Sequence, residues 1–241
     1  METDESKWAA SPKALLIGVG LTAIAYLALL LPSDAVDAYV KEDGVIEWIG
    51  AVGLFAASGC CFWMAHRSRG RWAGIKRLAV LGLAIVFFFG GGEEISWGQR
   101  VLGFETPEEL SEANAQDETN VHNLKIFDDF LSIERLFQLF WIAFAVLIPI
   151  ICALAPNVRR WVGNFLPIMP LTVAILLIVN QLFGIGFEAL LDANPSLFDS
   201  EYPLEQARFE VTESVISVLL AAGTAAIAVR LRSVPQPRTV D

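Results

Sequence analysis

The stretch Leu78-Ala79-Val80-Leu81-Gly82-Leu83-Ala84-Ile85-Val86-Phe87-Phe88-Phe89-Gly90-Gly91-Gly92-Glu93-Glu94-Ile95-Ser96-Trp97-Gly98-Gln99-Arg100 decides how this chain is read. Its first part is an unbroken apolar run of about three helical turns, little more than half of a ~30 Å hydrocarbon core. A spanning helix that begins there carries Glu93 and Glu94 into the membrane, in its outer half. A charge near mid-bilayer costs about 2.5–3.5 kcal/mol on insertion scales, so such residues face the bundle interior and have partners. The three glycines before them permit close helix approach or a local break. On a continuous helix Glu93, Ser96, Trp97 and Arg100 share one face, which makes Arg100 one obvious partner of Glu93.

Similar apolar runs recur on both sides of this stretch. Spans are expected at about Ala14–Leu31, Val45–Met64, Leu78–Gly98, Leu136–Leu154, Leu171–Leu191 and Phe209–Val229. Each is close to the roughly 20 apolar residues that a membrane helix needs. Pro32 closes the first span and Pro149 is a candidate kink in the fourth. The chain is 55% hydrophobic and 18% charged, with a mean hydropathy of +0.53. Charges gather in the connections, which is the pattern of a bilayer protein rather than a soluble one. The fold class expected is therefore all-α, a single polytopic bundle of six transmembrane helices over residues 1–241.

The connections set the orientation. Arg67, Arg69, Arg71, Lys76 and Arg77 follow span two, Arg159 and Arg160 follow span four, and Arg230, Arg232 and Arg238 follow span six. Lys and Arg are retained on the cytoplasmic side. The other side carries Asp34, Asp37, Glu42 and Asp43, then the acids from Glu105 to Glu134, then those from Asp192 to Glu205. Both termini are expected in the cytoplasm, with the chain multi-pass in the inner (plasma) membrane. Met1 to Lys7 is mostly acidic, so the first span is read as retained rather than as a cleaved signal. The formal charge of −10 argues against a nucleic-acid partner. Cys60, Cys61 and Cys152 lie in apolar runs without metal-ligand spacing and read as packing residues.

The connection from about Arg100 to Arg135 is too long and too patterned for a plain loop. Thr106-Pro107-Glu108-Glu109 reads as a capped helix start. Ile126 to Arg135 reads as an amphipathic segment leading into span four. Between them Asn114, Gln116, Glu118, Asn120 and His122 alternate, and an extended chain places them on one face. Either this is a solvated loop, or it folds back so that Glu118, Asn120 and His122 meet the acids of span three.

Further polar groups fall at the same depth. Span five carries Asn180, Gln181 and Glu188, with Gly184 between them; span six opens with Gln206, Glu210 and Glu213 at helical spacing. Glu93, Glu94, His122, Glu188, Glu210 and Glu213 together form a candidate site. Glu93 and Glu94 are its candidate catalytic acids. Arg100, Asn120, Gln181 and Glu188 are candidate lining. His122, Glu210 and Glu213, with Glu93 or Glu94, are candidate metal ligands. So many carboxylates would repel unless one held a proton or a cation sat among them. Zn²⁺, Mn²⁺ and Mg²⁺ fit such oxygen-rich ligands with one histidine.

The run Glu93, Glu94 … Arg100 resembles the Glu-Glu-x-x-x-Arg motif of CAAX-type intramembrane proteases, with the arginine two residues further along. That resemblance implies a glutamate that activates water, assisted by histidines on other spans. Here the histidine motifs of that family are absent and His122 is the sole candidate. The stretch from Gly92 to Leu124 also resembles a group of uncharacterised bacterial membrane proteins with the same Gly-Glu-Glu-Ile-Ser-Trp-Gly-Gln core, which implies no chemistry.

Three functions remain open on these residues. The first is a membrane-embedded hydrolase or transferase, metal-dependent or not, acting on a lipid or lipid-linked substrate at the outer leaflet. The second is a cation- or proton-coupled carrier or channel, supported by Asn180, Gln181 and Glu188. The third is a structural or partner-binding membrane protein whose acids hold the bundle together. The absence of a lysine within the spans sets aside a retinal Schiff base, and Gly90 to Gly92 precede acids rather than the Lys-Ser/Thr of a phosphate loop.

Overall fold

A computed structural model of the protein describes residues 10–41, 44–107, 119 and 133–233, except for the side chains of Arg100, Ile133 and Glu134. Among these residues there is no β-strand, and six helical stretches are long and apolar enough to cross a membrane.

Helix α1 (Pro12–Leu27) opens where the sequence supplies a start. The Ser11 side chain accepts from the Ala14 N–H, and Pro12 occupies the first turn, where no N–H is needed. A 3₁₀ turn over Ala28–Leu30 carries it on until Pro32. The short helix α2 (Ser33–Val40) then buries Val36 and Val40 before α3 (Val45–Arg67) crosses. Helix α4 (Gly74–Glu94) returns and is followed by the one-turn α5 (Gln99–Leu102).

The fourth span has three parts: α6 (Ile133–Trp141), a π-helical stretch (Ile142–Leu147), and α7 (Ile148–Leu154). The π stretch answers the expected kink at Pro149. Proline cannot donate to the carbonyl four residues back and its ring crowds that group. The wider winding just before it accommodates the misfit. Helix α8 (Pro156–Val162) is short; α9 (Leu171–Ala193) and α10 (Leu204–Arg232) are the last two spans.

The spans close into a ring. Helix α3 packs mainly on α10 and α4, α10 also packs on α9, and α9 meets the π stretch of span four. Span four reaches back to α4 through aromatic rings, with Phe87 centred 6.0 Å from Phe140 and 6.4 Å from Phe144. Helix α1 lies outside the ring against α9 and α10. The α3–α10 seam is close because it is built of small residues. A Cβ added to Gly53 would stand 3.0 Å from the Ser217 backbone carbonyl carbon.

The two ends of the bundle differ as the charge pattern predicts. At the basic end Lys76 Nζ donates to the Gly163 carbonyl at 2.5 Å and lies over the Trp72 ring, and Arg77 Nε donates to the Ala65 carbonyl at 3.2 Å. At the acidic end Asp37 Oδ1 accepts from the Ser200 hydroxyl at 2.6 Å and from the Glu201 N–H at 3.1 Å. That joins α2 to the α9–α10 connection.

Candidate functional site

Helix α4 stops where the glutamates begin. Glu94 is its last residue, and Ile95 leaves helical geometry. Ser96, Trp97 and Gly98 follow with φ of 43°, 56° and 76°. A left-handed turn suits Gly98 but costs about 1–2 kcal/mol at each of the other two residues. The expectation that Glu93, Ser96, Trp97 and Arg100 share a helical face is therefore corrected. The helix ends between Glu94 and Ser96, and the turn folds Trp97 back onto α4. Its ring covers Gly92, where an added Cβ would stand 2.8 Å from Cζ3. Its Nε1 donates to Glu93 Oε1 at 2.7 Å. The glycine run thus supplies room for an indole as well as for helix contact: Gly91 would carry a Cβ 3.2 Å from the Ala51 carbonyl oxygen of α3.

Glu94 points another way, into the α3–α10 seam. The position a Cβ of Gly50 would take is 3.5 Å from Glu94 Oε2, 3.4 Å from Ser214 Cα and 3.7 Å from Ser214 Cβ. Three helices thus bring Gly50, Glu94 and Ser214 to one point. Glu47 precedes Gly50 by one turn of α3, and Glu210 precedes Ser214 by one turn of α10. Glu47, Glu93, Glu94, Glu210 and Glu213 are all half-buried, and each has interaction partners.

The remaining expected members are not at this point. Helix α10 has a second polar face, turned to α1 and α9. Asn180, fully buried, donates from Nδ2 to the Thr212 carbonyl at 3.0 Å and accepts at Oδ1 from the Tyr26 hydroxyl at 3.2 Å. The Tyr26 hydroxyl also lies 2.8 Å from Thr212 Oγ1. Nearer the acidic end, two turns along α9 from Asn180 and one turn along α10 from Thr212, Glu188 Oε2 lies 2.7 Å from Arg208 Nε. That approach is not aligned as a hydrogen bond, so charge holds the pair. Glu188 therefore sits beside a cation on the far side of α10 from Glu94. Gln181 is half-buried and outside these hydrogen bonds.

Tyr26, Arg208 and Ser214 were missed by sequence reading. Arg208 carries a signal, since it is the single basic residue between Asp192 and Glu213. Tyr26 and Ser214 carry only a hydroxyl in an apolar span.

Gln99, from the same core stretch, anchors the long connection. Its Nε2 donates to Thr106 Oγ1 at 2.8 Å, and its Oε1 accepts from the Thr119 N–H at 2.6 Å. Residue 119 thus lies beside the end of span three. Asn114, Gln116, Glu118, Asn120, His122 and the side chain of Arg100 lie outside what is described, as does most of the expected Ile126–Arg135 segment. Among the described residues no three His, Cys, Asp or Glu side chains are placed to hold one metal ion, and His122 of the expected metal set lies outside them.

The fold and this site define a six-span α-helical membrane protein with a polar centre at its acidic end. No protein-family profile, curated protein or solved structure matches the chain.

Proposed function

We propose that this chain is a membrane-embedded hydrolase or transferase acting on a lipid or lipid-linked substrate, with its site at the extracytoplasmic face and both termini in the cytoplasm. The observation that carries this reading is the convergence of Glu94 Oε2 and Ser214 on Gly50. A carboxylate at a three-helix junction, next to a backbone turn strained at Ser96 and Trp97, is suited to general-base work. Strain of that kind persists where the surroundings over-determine it, and it clusters at functional sites. Glu93 is oriented by Trp97, and Glu94 is the carboxylate that reaches the junction, so we assign it as the base.

Two further observations favour this reading over the others. A conducting protein needs polar groups through both halves of its spans. Here the basic half is closed by Cys61, Met64, Val80, Leu83, Leu177 and Leu220, all buried. Buried hydroxyls in that half are bonded to backbone carbonyls, Ser58 to Ala84 and Thr224 to Leu220. The lipid assignment is supported by a groove of about 590 Å³ along the α3–α10 seam, between Val45, Trp48, Ile49 and Ala56 on α3 and Val218 and Ala221 on α10. The groove is apolar and open along the surface. The groove holds none of the carboxylates, so it fits the hydrocarbon part of a substrate rather than its reacting part.

The chemistry balances without a redox partner. Glu94 takes the proton of an attacking O–H group. The oxygen bonds to the acyl or phosphoryl centre of the lipid, the bond to the leaving oxygen breaks, and Glu94 returns the proton to it. A divalent cation held by His122 with Glu210 and Glu213 would add Lewis-acid assistance.

The test compares lipid extracts of cells producing wild type or Glu94→Gln by mass spectrometry, then repeats the comparison with purified protein in vesicles of the same lipids. Wild type should deplete one lipid class and generate its product, while Glu94→Gln, folded and equally abundant, does neither. Identical lipid profiles would end this reading.

A further inference from the structure

The basic end of the bundle carries cations that no neighbouring acid offsets. Arg67, Arg69, Arg71, Lys76 and Arg77 lie in and beside the turn between α3 and α4, and no Asp or Glu occurs between Glu47 and Glu93. Arg159 and Arg160 lie on α8, and none occurs between Glu134 and Glu188. The fold brings the two sets together: Lys76 Nζ donates to the Gly163 carbonyl at 2.5 Å, one residue beyond the end of α8. The acceptors of Lys76, Arg77 and Arg160 are all neutral. Lys76 takes that carbonyl and the face of the Trp72 ring, Arg77 Nε takes the Ala65 carbonyl at 3.2 Å, and Arg160 Nη2 takes Asn157 Oδ1 at 2.5 Å. Arg71 Nη1 has no hydrogen-bond partner among the described residues. Such bonds hold the side chains in place and leave their charges uncancelled. Lys76 and Arg77 also stand in the first turn of α4, where the helix dipole favours an anion.

The same surface is apolar as well as cationic. Ile75 and Leu78 on α4, Leu154 at the end of span four and Trp161 on α8 are each more than half exposed. The Trp161 ring lies 5.2 Å from that of Phe165. At a bilayer boundary, aliphatic side chains of this kind meet hydrocarbon and indole rings sit at the level of the headgroups. Arg69 and Arg160 are exposed at this end, Arg160 directly beside Trp161 in the chain. An anion that matches the whole surface therefore needs an apolar continuation. Inorganic phosphate has none, whereas a phospholipid carries its phosphate ester above its acyl chains.

We infer that the α3–α4 turn and α8 form one docking surface for the headgroups of anionic phospholipids, with Ile75, Leu78 and Trp161 against their apolar parts. The charge pattern selects an anionic lipid over a zwitterionic one. The surface offers cations and no acid, so the ammonium of a zwitterionic headgroup finds no partner there. Attraction of this kind is worth about 5-fold in affinity for each Lys or Arg engaged, and it weakens as salt rises. The surface lies at the start of α4 and Glu94 at its end, so this inference stands apart from the reaction proposed above.

The experiment uses the full chain in neutral detergent and follows bound lipid by native mass spectrometry. The probes are phosphatidylglycerol and phosphatidylcholine with the same acyl chains. Wild type should bind phosphatidylglycerol about 25-fold more tightly, the scale of two engaged cations. Arg69→Gln combined with Arg160→Gln should remove most of that preference while keeping the unfolding midpoint measured without added lipid. Arg69→Lys combined with Arg160→Lys, which keeps the charge, should retain it. Arg230→Gln combined with Arg232→Gln removes the same charge from the end of α10 and should leave most of the preference intact. Equal losses in the two glutamine double variants would show a diffuse charge effect and overturn the inference. Equal binding of the two lipids by wild type would overturn it as well, as would full displacement of phosphatidylglycerol by inorganic phosphate at matched ionic strength. The inference also fails if a preference emerges only with Glu2→Gln, Asp4→Asn and Glu5→Gln together, since the chain's own N-terminal acids would then be the occupant.

Discussion

Trp97 Nε1 donates to Glu93 Oε1 at 2.7 Å across a break in the helix. The two residues have the spacing of neighbours on a helix, yet the contact is made by a left-handed turn that swings the indole back over Gly92. Trp97→Phe keeps an aromatic ring on Gly92 and removes the donor. The expected cost is about 1.5 kcal/mol, within the range for a hydrogen bond to a charged group. It is read as a lowered unfolding midpoint in detergent, with lipid conversion reduced but not abolished.

Gly92→Ala attacks the same contact from the other side. The new methyl would stand 2.8–2.9 Å from three ring carbons of Trp97, so the indole must leave. The variant should lose at least as much stability as Trp97→Phe, and the two changes combined should cost less than their sum. Full additivity would show that the indole does not rest on Gly92.

Tyr26, Asn180 and Thr212 clamp α1, α9 and α10 together. Tyr26→Phe and Thr212→Val each remove one member of the closest hydroxyl pair. A double-mutant cycle should give a coupling of about 0.6–1 kcal/mol, the scale of interhelical hydrogen bonds in membranes. Asn180→Leu should lower stability without changing ion permeability of proteoliposomes, because this network holds helices rather than lining a path.

Glu188 and Arg208 are partly exposed, at 32% and 18%. Each single alanine variant should destabilise the bundle more than the double variant does, since removing one partner leaves a charge at the membrane edge. Neither should remove lipid conversion if the reacting site is on the opposite face of α10. Complete loss in Glu188→Ala would place this pair in the reaction.

The proposed orientation is open to a direct check. In a chain whose Cys60, Cys61 and Cys152 are replaced by alanine, Asp199→Cys should react with a membrane-impermeant maleimide on intact cells. Arg69→Cys should react only after the membrane is opened. The reverse pattern would place the acidic end in the cytoplasm.

Much of the architecture was legible because it follows from local composition. Hydropathy placed five spans to within five residues of Pro12–Leu30, Gly74–Glu94, Arg135–Leu154, Leu171–Ala193 and Leu204–Arg232, and the second within three residues of α3 (Val45–Arg67), without the preceding α2 (Ser33–Val40). The error that changed the site lay at Gly98, where helical periodicity was carried past Glu94. Periodicity has no means of reporting positive φ at Ser96 and Trp97, residues that rarely adopt it. Asn180 was singled out correctly as a buried polar group, but its role changed once Tyr26 supplied the partner.

The two adjacent glutamates after three glycines divide along the same line. Sequence alone determined that Glu93 and Glu94 lie at one end of a span, at the depth of Glu188, Glu210 and Glu213, because depth is set by counting residues along apolar helices. Only the tertiary structure decided that Glu93 turns to Trp97, that Glu94 turns to Gly50 and Ser214, and that Glu188 belongs to Arg208 on another face. The direction of a side chain around its helix acquires a partner only when neighbouring helices are packed in a particular rotation and register, and that choice is made by contacts far apart in the chain.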